Sequence, residues 1–250
     1  MKKRGYSASF AAGLTVASST MGMIIPPSMA MVLYAIVAQG SVGQLFMAGI
    51  IPELMIGIFQ LFIVYWRSLR RNYPTEDVPL TKSNITLQFK RSGLVLLMPI
   101  VVVGSVVFGI ATPTESAGLG VLYGLFVGLF IVGWDSLRSF PRSLRNAIIM
   151  SAKIMIVIAF SQLYIWVLAL ERIPDTLAAY VIGLDLGPTA LLMLVAVIIL
   201  IAGTFIDVSR AILLLTPVHL PAVTAVGVSG EHFEVIMISG LAVGACTHPP

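Results

Sequence analysis

From Gln44 to Trp66 the chain is almost wholly apolar, about the roughly 20 residues a helix needs to cross a bilayer core. Further apolar runs cover Ser7 to Ala38, Ser92 to Val132, Ala147 to Leu170 and Pro188 to Ile206. These runs are continuous rather than alternating, which fits helices and not the dyad pattern of barrel strands. Only 10% of the 250 residues are charged and 58% are hydrophobic, whereas an average soluble domain is about 25% charged. A soluble fold lacks its polar surface here, and a disordered chain is excluded with it. The single cysteine, Cys246, excludes a disulfide scaffold. The expected fold class is an all-α polytopic membrane protein lying in a lipid bilayer.

The net charge is +4, yet no nucleic-acid partner is expected. The basic residues form short clusters between apolar runs, as topology signals do, and no aromatic residues interleave with them. Lys2, Lys3 and Arg4 precede the first run; Arg67, Arg70, Arg71, Lys82, Lys90 and Arg91 follow the second; Arg138, Arg142 and Arg145 follow the third. All of these fall on one side if each run crosses once and Ser92 to Val132 crosses twice. The positive-inside rule makes that side cytoplasmic. The basic start resembles the first region of a signal peptide, but the apolar stretch continues through Pro26-Pro27 to Ala38, so no cleavage is expected.

Proline interrupts these runs. Pro26-Pro27 stands inside the first, Pro113 inside the third, Pro217 and Pro221 inside Ile212 to Val228, and Pro249-Pro250 closes the sequence. Proline has no N–H and clashes one turn back, so a helix breaks there. Broken backbone at membrane depth is tolerated only where it is buried in protein or lines a wet cavity. Paired broken helices point to the binding site of a secondary transporter, where freed carbonyls hold a cation. Gly22 through Pro27 and Gly244 through Pro250 share one pattern, a glycine, a few residues and then a proline pair. That likeness points to an internal repeat. Because the last apolar segment stops partway, the chain is read as a fragment of a longer protein.

Few side chains are placed for chemistry. Ser18, Ser19, Thr20, Gly22 and Ser28 crowd the first break; for Ser18, Ser19 and Thr20 close helix packing and ligand binding are equally good readings, whereas Gly22 and the backbone at Ile25 and Pro27 are better candidates as carbonyl ligands. Asp207 ends an apolar run and is functional by default; the plainer alternative is a pair with Arg210, three residues on. Glu115 reads as a helix N-terminal carboxylate following Thr112 or Thr114. Lys153 can snorkel, and Glu53 receives no role. His219, His232 and His248 lack metal-ligand spacing, and there is neither a phosphate loop nor a nucleophile elbow. No enzyme and no cofactor are expected.

These residues carry a resemblance. Arg4-Gly5-Tyr6 with Gly22-Met23-Ile24-Ile25-Pro26-Pro27-Ser28, then Gly109 to Ala117, then Gly203 to Asp207 with Pro217 and Pro221, then His232-Phe233, Gly244 and Thr247-His248-Pro249-Pro250, run end to end. In that order they resemble the large permease subunit of tripartite ATP-independent periplasmic (TRAP) transporters, the DctM-like family. The resemblance implies an elevator-type secondary transporter with inverted repeats, broken helices and re-entrant hairpins, multi-pass in a bacterial inner membrane. It implies Na⁺ as coupling ion, a small four-helix membrane subunit, a periplasmic substrate-binding protein and a small organic-acid substrate. One cation site would use the backbone carbonyls of Gly22, Ile25 and Pro27, and a second Asp207, Gly244 and Thr247. Ser28 would touch substrate. Residues 1–91 would end the first repeat and 92–250 would form most of the second, with a hairpin near 211–228. The first hairpin would precede Met1. Alternatives are another ion-coupled carboxylate symporter, an intramembrane enzyme, or a truncated, non-transporting subunit. A simple crossing count brings both proline-pair helices in from the cytoplasm, whereas an inverted repeat needs opposite directions; the Thr112–Glu115 break is the first suspect.

Overall fold

The computed structural model describes residues 6–71, 73, 81–133, 140–183 and 187–247. The loop between Arg71 and Lys82 and the terminal proline pair fall almost entirely outside them. Among the described residues every regular element is helical: α1 (Ala8–Ile24), α2 (Met29–Ala38), α3 (Val42–Arg71), α4 (Lys82–Val107), α5 (Pro113–Val127), α6 (Phe140–Leu170), α7 (Ile173–Gly183), α8 (Pro188–Phe205), α9 (Val208–Ala225) and α10 (Gly230–Thr247). Helices α3, α6, α8 and α9 are each long and apolar enough to cross a membrane, and α1 with α2, bent by 43° at the break, is a fifth apolar segment that is either one broken span or a re-entrant loop.

The chain packs as two compact units, Met1–Arg71 with Met155–Pro250, and Asn72–Ile154. The expected division at 91/92 follows a duplicated sequence pattern, whereas compactness follows which apolar faces meet, so the boundaries differ. In the second unit the run from Ser92 folds back on itself. Pro113 opens α5, and Thr112 and Glu115 form a reciprocal cap, the Thr112 amide donating to Glu115 Oε2 at 2.8 Å and the Glu115 amide to Thr112 Oγ1 at 3.3 Å. Ser105 and Ser116 hydroxyls meet at 2.7 Å, and Tyr123 donates to the Leu94 carbonyl at 2.6 Å, so α4 and α5 run antiparallel.

In the first unit α10 is central and packs against α1, α2, α3, α8 and α9. Its direction is fixed at both ends. Cys246 Sγ lies 3.5 Å from the Val16 carbonyl of α1, and the Tyr34 hydroxyl of α2 donates to the Gly230 carbonyl at 2.8 Å. Later positions in α1–α2 therefore meet earlier positions in α10, and the two run antiparallel. Helix α8 runs parallel to α10. A Cβ at Gly240 would meet Ile199 at 3.0 Å, whereas one at Gly203 would touch the Leu241 backbone at 2.8 Å. Helix α9 opposes α10, because Thr216 reaches Met237 at 3.2 Å and Leu220 lies 3.8 Å from a Cβ built at Gly230.

Helices α8 and α9 are therefore the two arms of one hairpin whose tip is Ile206-Asp207. This corrects the expected hairpin near 211–228, which is a single helix followed by a turn at 226–229. Pro217 and Pro221 sit inside α9 without ending it, because packing on α2, α7 and α10 holds the helix across them. The correction also removes the conflict over direction. A hairpin at 211–228 returns the chain to the side it left, whereas one helical arm delivers it to the other, so α10 runs opposite to α1 as an inverted repeat requires.

Candidate functional site

The first break follows from proline chemistry. In α1 the carbonyls of Gly22 and Met23 would accept from residues 26 and 27, but both are proline and have no N–H. The ladder stops with the Ile25 amide donating to the Met21 carbonyl at 2.9 Å. Ser28 restores one bond: its hydroxyl donates to the Met23 carbonyl, and its oxygen accepts from the Met31 amide at 3.4 Å as the N-cap of α2. Gly22, Ile25 and Pro27 are exposed, and among the described residues no amide reaches their carbonyls. The backbone atoms the sequence singles out are thus free acceptors on an open face. Ser28 is buried, 3% exposed, and its hydroxyl is committed to the break itself.

The second set gathers near the α8–α9 tip. Asp207 caps α9, its Oδ1 accepting from the Ser209 amide at 3.1 Å, rather than pairing with Arg210. The Ile206 amide closes α8 on the Ala202 carbonyl at 2.9 Å, and the carbonyls of residues 203–206 receive no backbone donor among the described residues, the ladder resuming with the Ala211 amide on the Asp207 carbonyl at 2.9 Å. Gly244 lies against the last turn of α8: a Cβ there would stand 2.9 Å from Gly203 Cα. Thr247 Oγ1 donates to the Gly244 carbonyl at 2.7 Å. Asp207, one turn beyond Gly203, thus shares with Gly244 and Thr247 the same end of the α8–α10 crossing. Gly244 has a packing duty besides any ligand role, because only hydrogen fits at that crossing. Among the described residues, no hydrogen bond joins this set to the first.

Two acids stand out from the fold more than from the sequence. Glu53 in α3 is 4% exposed and Glu234 in α10 is fully buried. Neither carboxylate has a hydrogen-bond partner among the described residues. The signal for Glu53 was present in the sequence, since it is the one charge in the run from Gln44 to Trp66, and a charge within a span marks function more often than packing.

Apolar helices with two breaks that carry unpaired carbonyls, and an antiparallel pair of helices leading into them, form the kind of arrangement in which secondary transporters place their binding sites. The chain belongs to the family described as tripartite ATP-independent periplasmic transporter, DctM component, which it matches over residues 1–250. It is 35% identical over its whole length to the isethionate TRAP transporter permease protein DctMQ of Oleidesulfovibrio alaskensis, of which it covers 39%. It is 33% identical to the C4-dicarboxylate TRAP transporter large permease protein DctM of Pseudomonas aeruginosa, covering 58% of that protein and 100% of this chain. Against the sialic acid TRAP transporter large permease protein SiaM of Vibrio cholerae it is 34% identical, again over the whole chain and 58% of the relative. The chain thus spans well under two thirds of these relatives.

Proposed function

We propose that this chain is part of the large membrane subunit of a sodium-coupled TRAP transporter that imports a small organic acid across a bacterial inner membrane. The reading rests above all on the two breaks, whose free carbonyls lie on helices running in opposite directions. Hard cations take oxygen ligands, and broken spans are where secondary transporters place them. The carbonyls of Gly22, Ile25 and Pro27 would serve one Na⁺, and Asp207 with the backbone of Gly244 and Thr247 a second. The relatives are named for isethionate, a C4-dicarboxylate and sialic acid, all small organic anions, which supports that substrate class here. Family membership supports two partners, a small membrane subunit and a periplasmic binding protein. Sodium bound at the breaks would favour the substrate-competent state, and movement of the loaded unit across a fixed scaffold would deliver the acid.

Thermal unfolding of the purified protein in detergent, in NaCl and in KCl at equal ionic strength, tests the reading. A ligand at a hundredfold excess over its Kd stabilises by about 2.7 kcal/mol. At roughly 2–4 °C per kcal/mol for a chain of this size, that is a rise of about 5–10 °C specific to Na⁺. Asp207→Asn keeps a side-chain oxygen to cap α9 and removes the charge, so it should fold normally and respond less to Na⁺. Equal melting in the two salts, in a folded sample, would rule out sodium coupling.

A further inference from the structure

We propose that Glu53 is the anionic ligand of a sodium site on the buried side of the first break, shared with the Ile24 carbonyl; the proposal rests on the sodium reading above. Helix α3 runs antiparallel to α1, since Gln60 Nε2 donates to the Ala17 carbonyl at 2.9 Å and Arg67 lies 5.6 Å over the Phe10 ring. Gly49 and Gly57 flank Glu53 at one turn on either side, and both face the end of α1. A Cβ at Gly49 would meet the end of the flexible Met31 side chain first and would stand 3.5 Å from the Ile24 carbonyl oxygen, and one at Gly57 would stand 2.9 Å from Met21 Cε. Residues four apart share a helix face, so Glu53 lies against the last turn of α1. Helical side chains lean toward the N-terminus of their helix, and for Glu53 that direction leads to Gly49 and the Ile24 carbonyl.

Both partners are unsatisfied. The Ile24 carbonyl would accept from the Ser28 amide in an unbroken helix, but among the described residues no backbone donor reaches it, and Ile24 is buried. Glu53 is buried with both carboxylate oxygens unpartnered. A buried charge without a partner is costly, and a buried carbonyl without a donor adds to that cost. A proton on Glu53 would satisfy one acceptor. A hard cation is coordinated by several oxygens at once, and on the buried side of the break the two carboxylate oxygens of Glu53 and the Ile24 carbonyl supply three. Glu234 is the internal contrast: it is equally buried and unpartnered, but it stands in the interior of α10, with no proline break beside it.

Two measurements test this. In the first, the wild-type protein is treated with the apolar reagent dicyclohexylcarbodiimide in NaCl or KCl, and modified carboxyls are mapped by mass spectrometry. Sodium should suppress labelling at Glu53 and leave Glu234 unchanged. In the second, the Na⁺ dependence of melting is titrated for Glu53→Gln, with Glu234→Gln as control. Loss of groups that merely support a metal's ligands lowers affinity about 10- to 100-fold, and Glu53→Gln should weaken Na⁺ at least that much while Glu234→Gln retains wild-type affinity. Labelling of Glu53 that is equal in the two salts, or wild-type sodium affinity in Glu53→Gln, overturns the proposal and leaves the sodium reading standing. Absence of any sodium-specific effect in the wild type removes both. Should Glu53→Gln fail to fold, the labelling result on the wild type decides alone.

Discussion

Substituting alanine for the glycines of the first unit should produce a graded series set by what each new methyl group meets. At Gly244 the Cβ would lie 2.5 Å from the Leu200 carbonyl oxygen and 2.9 Å from Gly203 Cα. At Gly203 it would lie 2.8 Å from the Leu241 carbonyl oxygen. These neighbours are backbone, so nothing yields without moving α8 away from α10 along their closest approach. Overpacking of this kind costs about 1–3 kcal/mol, or roughly 2–12 °C at 2–4 °C per kcal/mol. At Gly240 the obstacle is the Ile199 side chain at 3.0 Å, which can turn, so the loss should be smaller. At Gly22 nothing lies within 4 Å, and alanine in a helix interior is favoured over glycine by about 0.5–1 kcal/mol, so melting should hold or rise. Melting temperatures of the four variants in detergent, measured without added Na⁺, give the ranking. A Gly244→Ala protein as stable as Gly22→Ala would refute the close α8–α10 approach and, with it, the hairpin tip placed beside Gly244.

Two further outcomes concern individual hydrogen bonds. Tyr34→Phe removes the donor to the Gly230 carbonyl at 2.8 Å, and because Gly230 opens α10 and its carbonyl keeps a place on the helix ladder, the loss should be about 0.5–1.5 kcal/mol in melting experiments. Thr112→Ala removes the hydroxyl that accepts from the Glu115 amide and donates to Glu115 Oε2, leaves the amide of residue 112 on that carboxylate, and should cost about 1 kcal/mol, while the sodium response of the protein stays at the wild-type level.

Much of this fold is legible in the sequence because a bilayer removes alternatives. Continuous apolar runs can only be helices, and the Pro26-Pro27 break falls where the missing amides put it. The cap at Glu115 is equally local, since Thr112, Pro113 and Glu115 specify a helix start without help from the rest of the chain. Pro217 and Pro221 mislead for the opposite reason. A helix held on several sides can keep a proline whose lost bond is outweighed by packing, and no local pattern reports that support. The tip at Ile206-Asp207 carries no proline and only a modest signal, an acid at the end of an apolar run, so the reversal there emerges only from which residues α8 and α9 each meet on α10. Asp207 illustrates the limit: its sequence position marks a boundary, but whether its oxygen serves Arg210 or the Ser209 amide depends on the backbone turn. Gly244 belongs to the same class, because its neighbour Gly203 is remote in the chain.

The central place of α10 has a mechanical consequence. One helix touches the span carrying the first break, the helix carrying Glu53 and both arms of the hairpin, and it does so partly through glycine-to-backbone contacts that leave no slack. Such a helix cannot slide against one neighbour while staying fixed to another. The first break and the hairpin tip are therefore geared to a common shaft. Any force that shifts one is passed to the other through the same helix.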